Sequence, residues 1–170
     1  ARAEIEFDGD AALRLAGATQ VRLASDDSTL RDVQLAAGTV QIAIVARTSA
    51  AIAVDTPSVT IRALQPGDYR VSVAADGSTL ATSRRGEAWL VTPKHLYPMK
   101  PGTTFAASGS AEDPQISTQA PIPFDRFDDF NAARDKAMAA SLAGSAPPIG
   151  STLAPPAPVP VGTPSALPER

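Results

Sequence analysis

Between Ala51 and Val73 the chain sets down three short alternating segments separated by two proline-bearing turns, a pattern that restricts this region to β-structure. Ile52 and Val54 alternate with small residues and stop at Asp55-Thr56-Pro57. Val59, Ile61 and Ala63 alternate with Ser58, Thr60 and Arg62 and stop at Gln65-Pro66-Gly67, after which Tyr69, Val71 and Val73 alternate with Asp68, Arg70 and Ser72. A helix cannot use a period of two, and prolines at these positions would end one. The same grammar precedes this stretch and continues for about 35 residues after it. No residue within it is placed for chemistry.

Taken in order, Arg2 to Phe7 alternates with Ala3, Ile5 and Phe7 on one face, and Asp8-Gly9-Asp10 turns it back. Ala11 to Leu15 and Thr19 to Leu23 follow, with Leu13, Leu15, Val21 and Leu23 as inward candidates. Leu30 to Leu35 and Thr39 to Val45 flank Ala36-Ala37-Gly38, which reads as a three-residue hairpin connection. Asp76-Gly77 is a strong hairpin signal, Gly86 introduces Glu87 to Val91, and Gly102 introduces Thr103 to Ala106. About eleven short strands result, the signature of a sandwich, barrel or β-roll. Gly9, Gly38 and Gly67 are evenly spaced and each precedes an alternating segment, which fits either a stacked repeat or a coincidence among regular hairpins.

The last fifty residues differ in kind. Ten of the 16 prolines, at positions 121, 123, 147, 148, 155, 156, 158, 160, 164 and 168, follow Ala120. The predicted division is a β-domain over 1–108, a polar linker over 109–122, a helix over 123–144 and a Pro/Ala-rich extended tail over 145–170. The helix has Asp125 as its N-cap and an apolar stripe through Phe124, Phe127, Phe130 (or Asn131), Ala137-Met138 and Leu142. Three phenylalanines in that stripe must be buried, either on the chain's own β-domain or in another protein. The tail prefers polyproline II and is expected to need something to hold it. Phe124, Phe127 and Phe130, with Pro155, Pro156, Pro158 and Pro160, are therefore the candidate partner-binding residues.

The composition removes several function classes. A net charge of −3, with basic residues scattered singly apart from Arg84-Arg85, argues against a nucleic-acid partner. No apolar run approaches the roughly 20 residues that span a bilayer, so direct membrane insertion is not expected. With no cysteine and one histidine, His95, neither a thiolate site nor a histidine-rich metal site can be assembled. Asp8 with Asp10, and Asp26-Asp27, lack the further oxygens Ca²⁺ needs and read as turn residues. Trp89, Tyr69 and Tyr97 read as packing residues, or as a stacking platform if they prove exposed. No cofactor and no enzymatic activity are expected.

The order and spacing of Val54-Asp55-Thr56-Pro57, Leu64-Gln65-Pro66-Gly67-Asp68-Tyr69-Arg70-Val71, Ala75-Asp76-Gly77-Ser78-Thr79 and Arg84-Arg85-Gly86-Glu87-Ala88 resemble the FecR-type domain, in a branch of large bacterial FecR-like envelope proteins. Ala12-Leu13-Arg14-Leu15 fits that pattern. So does the short helix from Phe124-Asp125-Arg126-Phe127 to Ala133-Arg134-Asp135. The resemblance implies an all-β, extracytoplasmic, periplasmic domain that works through protein partners. In signalling members it senses a receptor and controls a sigma factor through an anti-sigma segment, which has no counterpart here. The branch's usual first section is also missing ahead of Ala1: either the chain is a processed fragment or its early strands are replaced by something else, which would leave Ala3 to Phe7 as an open edge for strand addition. The expected function is a non-enzymatic scaffold or interaction component of an envelope assembly. The alternatives are a periplasmic signal-sensing module and a carbohydrate- or peptidoglycan-binding β-module.

Overall fold

A computed structural model describes residues 1–47 and 50–145. The strands are β1 (Ala3–Phe7), β2 (Ala11–Leu15), β3 (Gln20–Asp26), β4 (Leu30–Ile44), β5 (Ala51–Asp55), β6 (Thr60–Ala63), β7 (Gly67–Val73), β8 (Thr79–Arg85), β9 (Ala88–Val91), β10 (Leu96–Met99), β11 (Thr104–Ser108) and β12 (Gln115–Gln119); one helix, α1 (Arg126–Ser145), follows. The candidate tail residues Pro155, Pro156, Pro158 and Pro160 lie outside the described residues.

The twelve strands form one sheet that curls over a single core. One half runs β1-β2-β4-β7-β8-β11-β12 and the other β3-β4-β5-β6-β9-β10, so β4 belongs to both. Every pairing is antiparallel except that of β4 with β5. Alternation places Leu13, Val40, Ile42, Ile44, Val71 and Leu90 at 0% exposure inside the curl.

Three departures from the sequence reading have local causes. Ala36-Ala37-Gly38 is not a hairpin: β4 runs straight through it, and Gly38, at φ 96°, kinks the strand from one half of the sheet into the other. A Cβ at Gly38 would lie 2.6 Å from the Cα of Thr19, whose hydroxyl bonds the backbone of Thr39 on both sides. Gly9 sits in a tight turn, Gly38 in this kink and Gly67 at the head of β7, three inequivalent places, so their even spacing marks no repeat. The polar 109–122 segment contains β12, an exposed edge strand on β11, which needs no apolar face. Leu23 is 44% exposed, because its strand pairs only with β4 and is broken by bulges.

The turns follow their chemistry. Asp8 and Gly9 have φ of 50° and 77°, both positive, as a type I′ turn between β1 and β2 requires. Ala75-Asp76-Gly77 closes β7 and β8 as a three-residue loop, with Gly77 at φ 82° and the Asp76 carboxylate accepting from the Ser78 amide. Tyr69, fully buried, donates its hydroxyl to the carbonyl of Gln65 or Glu87, at 2.9 and 3.0 Å, and so joins the loop that enters β7 to the loop that leaves β8, at one end of this antiparallel pair.

Candidate functional site

The outward face of one half-sheet carries a row of polar side chains in direct cross-strand register: Glu4, Arg14, Gln41, Arg70, Thr82 and Thr104. On a solvated β-face this would be ordinary. Here Arg14 is 0% exposed and Gln41 3%, because α1 lies across the row. Asp125 caps the helix by accepting from the amides of Phe127 and Asp128, and the Asp128 carboxylate accepts in turn from the Asp125 amide, a reciprocal capping box with Asp in the usual Glu position.

The helix meets the row with a polar stripe at Asp128, Asn131 and Asp135. Asp128 takes hydrogen bonds from Arg70 at 2.9 Å and from Arg84 at 3.0 Å, and is itself buried. The Asn131 amide donates to the Gln41 side chain at 2.8 Å. Arg14 donates to Glu4 at 2.5 Å, to the Asn131 carbonyl at 3.2 Å and to the Asp135 carboxylate. Arg134 then closes on Glu4 from the helix side. Within this layer Arg14 Nη2, Arg70 Nε, Asp68 Oδ1 and Asn131 Oδ1 are buried and find no partner among the described residues. A cavity of about 70 Å³ opens beside them, between Asp68, Arg84, Asp128 and Asp135.

Two of these arginines, Arg84 and Arg70, and a third, Arg2, lie over the phenylalanine rings. Arg84 lies 4.4 Å over the Phe124 ring, Arg70 5.7 Å over Phe127 and Arg2 5.0 Å over Phe130. Phe127 is 6% exposed, Phe130 half-buried and stacked on it, and Phe124 76% exposed. The helix thus folds back on its own β-domain, one of the two burials open for it in the sequence. Arg84 also donates to the carbonyls of Ile122 and Pro123, holding the approach to the helix. Sequence reasoning found the N-cap and placed Phe127 and Met138 on the buried side, but its apolar stripe also included Phe124, which is 76% exposed, and Ala137, which is exposed, and it missed the arginine row; the one signal for that row was the recurrence of Asp128, Asn131 and Asp135 on a single helical face.

The remaining candidates sit elsewhere. Asp8, Asp10 and Asp26 gather round the guanidinium of Arg31, so these acids serve an ion cluster. Among the described residues no group of three His, Asp or Glu side chains could hold a metal ion, and no helix is long and apolar enough to cross a membrane. His95 is exposed, Tyr69 is buried and Tyr97 packs against Phe105, so Trp89 does not belong to an exposed aromatic row.

The charges predict how docking responds to pH. Hydrogen bonds from Arg134, with Arg14 in support, lower the Glu4 pKa to about 2 from an ordinary 4.5, and Arg70 lowers that of Asp125. A lowered carboxylate pKa stabilises above the ordinary value and is lost on acidification. Burial raises the Asp135 pKa to about 6; Arg14 opposes this and the neighbouring Asp68 adds to it. A raised carboxylate pKa stabilises at low pH and is lost as pH climbs through the folded value. Asp32, half-buried against Asp55, has the same sign. Thermal unfolding should therefore show its highest midpoint near pH 4 to 4.5, falling below that as Glu4 and Asp125 take up protons and falling again toward pH 6 as Asp135 ionises. Asp135→Asn should flatten the alkaline limb; an unchanged limb would show that Asp135 does not titrate there.

Fold and site together define an all-β domain closed on one face by a helix that is held largely through charge. Residues 1–88 match the family model described as FecR protein, and the chain belongs to that family. Two crystal structures of a proposed anti-sigma factor from Parabacteroides distasonis ATCC 8503 share the fold. The first, at 12% identity, has a TM-score of 0.59 and covers 83% of this chain and 71% of that one. The second, at 14% identity, has a TM-score of 0.59 and covers 82% and 70%. A search of curated proteins found no match.

Proposed function

We propose that this chain is a non-enzymatic signal-sensing and regulatory module of the FecR type, acting in a bacterial envelope through protein contacts, with α1 as its releasable element. The observation that carries this reading is the composition of the α1 contact. Beside the buried Phe127 and Met138, the contact is made by Asp128, Asn131 and Asp135 and the arginines below them, groups that water solvates well once freed. The solved neighbours with this fold are described as anti-sigma factors, which favours regulation.

The scaffold reading retains one supporting observation, the 76% exposure of Phe124 ahead of the helix. In it, the exposed Phe124, with Pro155, Pro156, Pro158 and Pro160, attaches the domain to a larger assembly, while Phe127 and Phe130 stay on the chain's own β-domain. Strains carrying the unaltered gene, a deletion and Asp128→Ala separate the two. Regulation predicts a defined set of transcripts that changes in the deletion and changes again in Asp128→Ala, with the β-domain still folded. A transcriptome indifferent to both, with an envelope complex lost from native gels, would overturn it in favour of the scaffold.

A further inference from the structure

Outside the arginine row, the largest concentration of exposed apolar side chains among the described residues lies on the other half of the sheet. Trp89, Leu64 and Leu96 are 47%, 52% and 63% exposed and line one groove of about 360 Å³. Trp89 lies directly across β9 from Arg62 on β6 and from Pro98 on β10. Neither the Trp89 indole nor the Arg62 guanidinium has a hydrogen-bond or ion-pair partner among the described residues. The groove therefore combines an aromatic floor, aliphatic walls and two unused donors side by side. A polyproline II strip presents the complement, with flat apolar ring faces and backbone carbonyls that make no internal hydrogen bonds.

We infer that the segment around Pro155 to Pro160 of this same chain docks in that groove as an extended strip, its rings on Trp89 and its carbonyls facing Arg62 and the indole N–H. The sequence there, Ala154-Pro155-Pro156-Ala157-Pro158-Val159-Pro160, has the required form. Its reach is sufficient. From Ser145 back to Asp135 is roughly 15 Å of helix. Asp135 lies beside Asp68, which pairs with Arg85 at 2.7 Å, and Arg85 is four residues from Trp89. With side-chain contacts included, Ser145 is at most about 40 Å from Trp89. A polyproline II chain leaving Ser145 covers roughly 30 Å by Pro155 and 45 Å by Pro160. The inference is independent of the regulatory reading.

Trp89 is the only tryptophan, so fluorescence of the full chain reads this groove alone. The unaltered chain is compared with one carrying Pro155→Ser, Pro156→Ser, Pro158→Ser and Pro160→Ser together. The expected result is a red shift of Trp89 emission and easier acrylamide quenching in the altered chain, equal at every protein concentration. In a Leu96→Asp background, which removes one wall at an exposed position, the four tail changes should have no further effect. Emission and quenching indifferent to the tail would overturn the inference. A tail effect that fades on dilution would assign the strip to a second copy and overturn the intramolecular form. A tail effect that survives Leu96→Asp would place the strip elsewhere.

Discussion

Gly86→Ala is expected to destabilise the domain by on the order of 4 kcal/mol, enough to unfold a protein of ordinary stability at moderate temperature. Two costs combine. Gly86 holds φ at 78°, where an L side chain is strained, and its Cβ would lie 2.4 Å from the Pro66 carbonyl and 2.5 Å from the Tyr69 hydroxyl. The first obstacle is backbone and the second is the buried group that joins the loops, so neither yields easily. Gly102 supplies the comparison: φ is 81° but nothing lies within 4 Å of a Cβ. Gly102→Ala should therefore cost only the dihedral strain, about 1–2 kcal/mol. Equal losses in urea unfolding of the two variants would show that the close approach at Gly86 is relieved by movement.

Arg14→Met is the second large effect, about 3–5 kcal/mol, because it leaves buried acceptors without their cation. Asp135 loses its guanidinium while still facing Asp68, and the Asn131 carbonyl loses a donor. Glu4 keeps Arg134 and is affected less. Pairing Arg14→Met with Asp135→Leu replaces both ends with apolar volume and should recover a large part of the loss. A single variant that unfolds within about 1 kcal/mol of the unaltered protein would show that Arg14 is not held as a buried ion, contrary to its full burial.

The two predictions mark the boundary of what was legible in the sequence. Local rules located most strands, both Asp-Gly turns and the helix cap, since alternation, positive φ and Ncap geometry are short-range properties. At Gly38 the same rules gave the wrong answer. Two apolar runs around a glycine look alike whether the chain reverses or kinks, and only pairing with β5 and β7 decides between them. The site was hidden for a related reason. Arg14 in Ala-Leu-Arg-Leu alternates as a solvent-facing residue would, and its burial depends on a helix more than a hundred residues later. Phe127 was legible as a residue to bury, but the arginine that covers it was not, because Arg70 belongs to a strand read only for its apolar partners.

β4 carries a mechanical implication. Its first residues pair with β3 and β5 and its last with β2 and β7, so the two halves of the sheet share one backbone segment. Neither half can peel away while the other keeps its full ladder. The domain should consequently lose its structure in a single all-or-none transition, and a pull delivered to either half is borne by the same fifteen-residue strand.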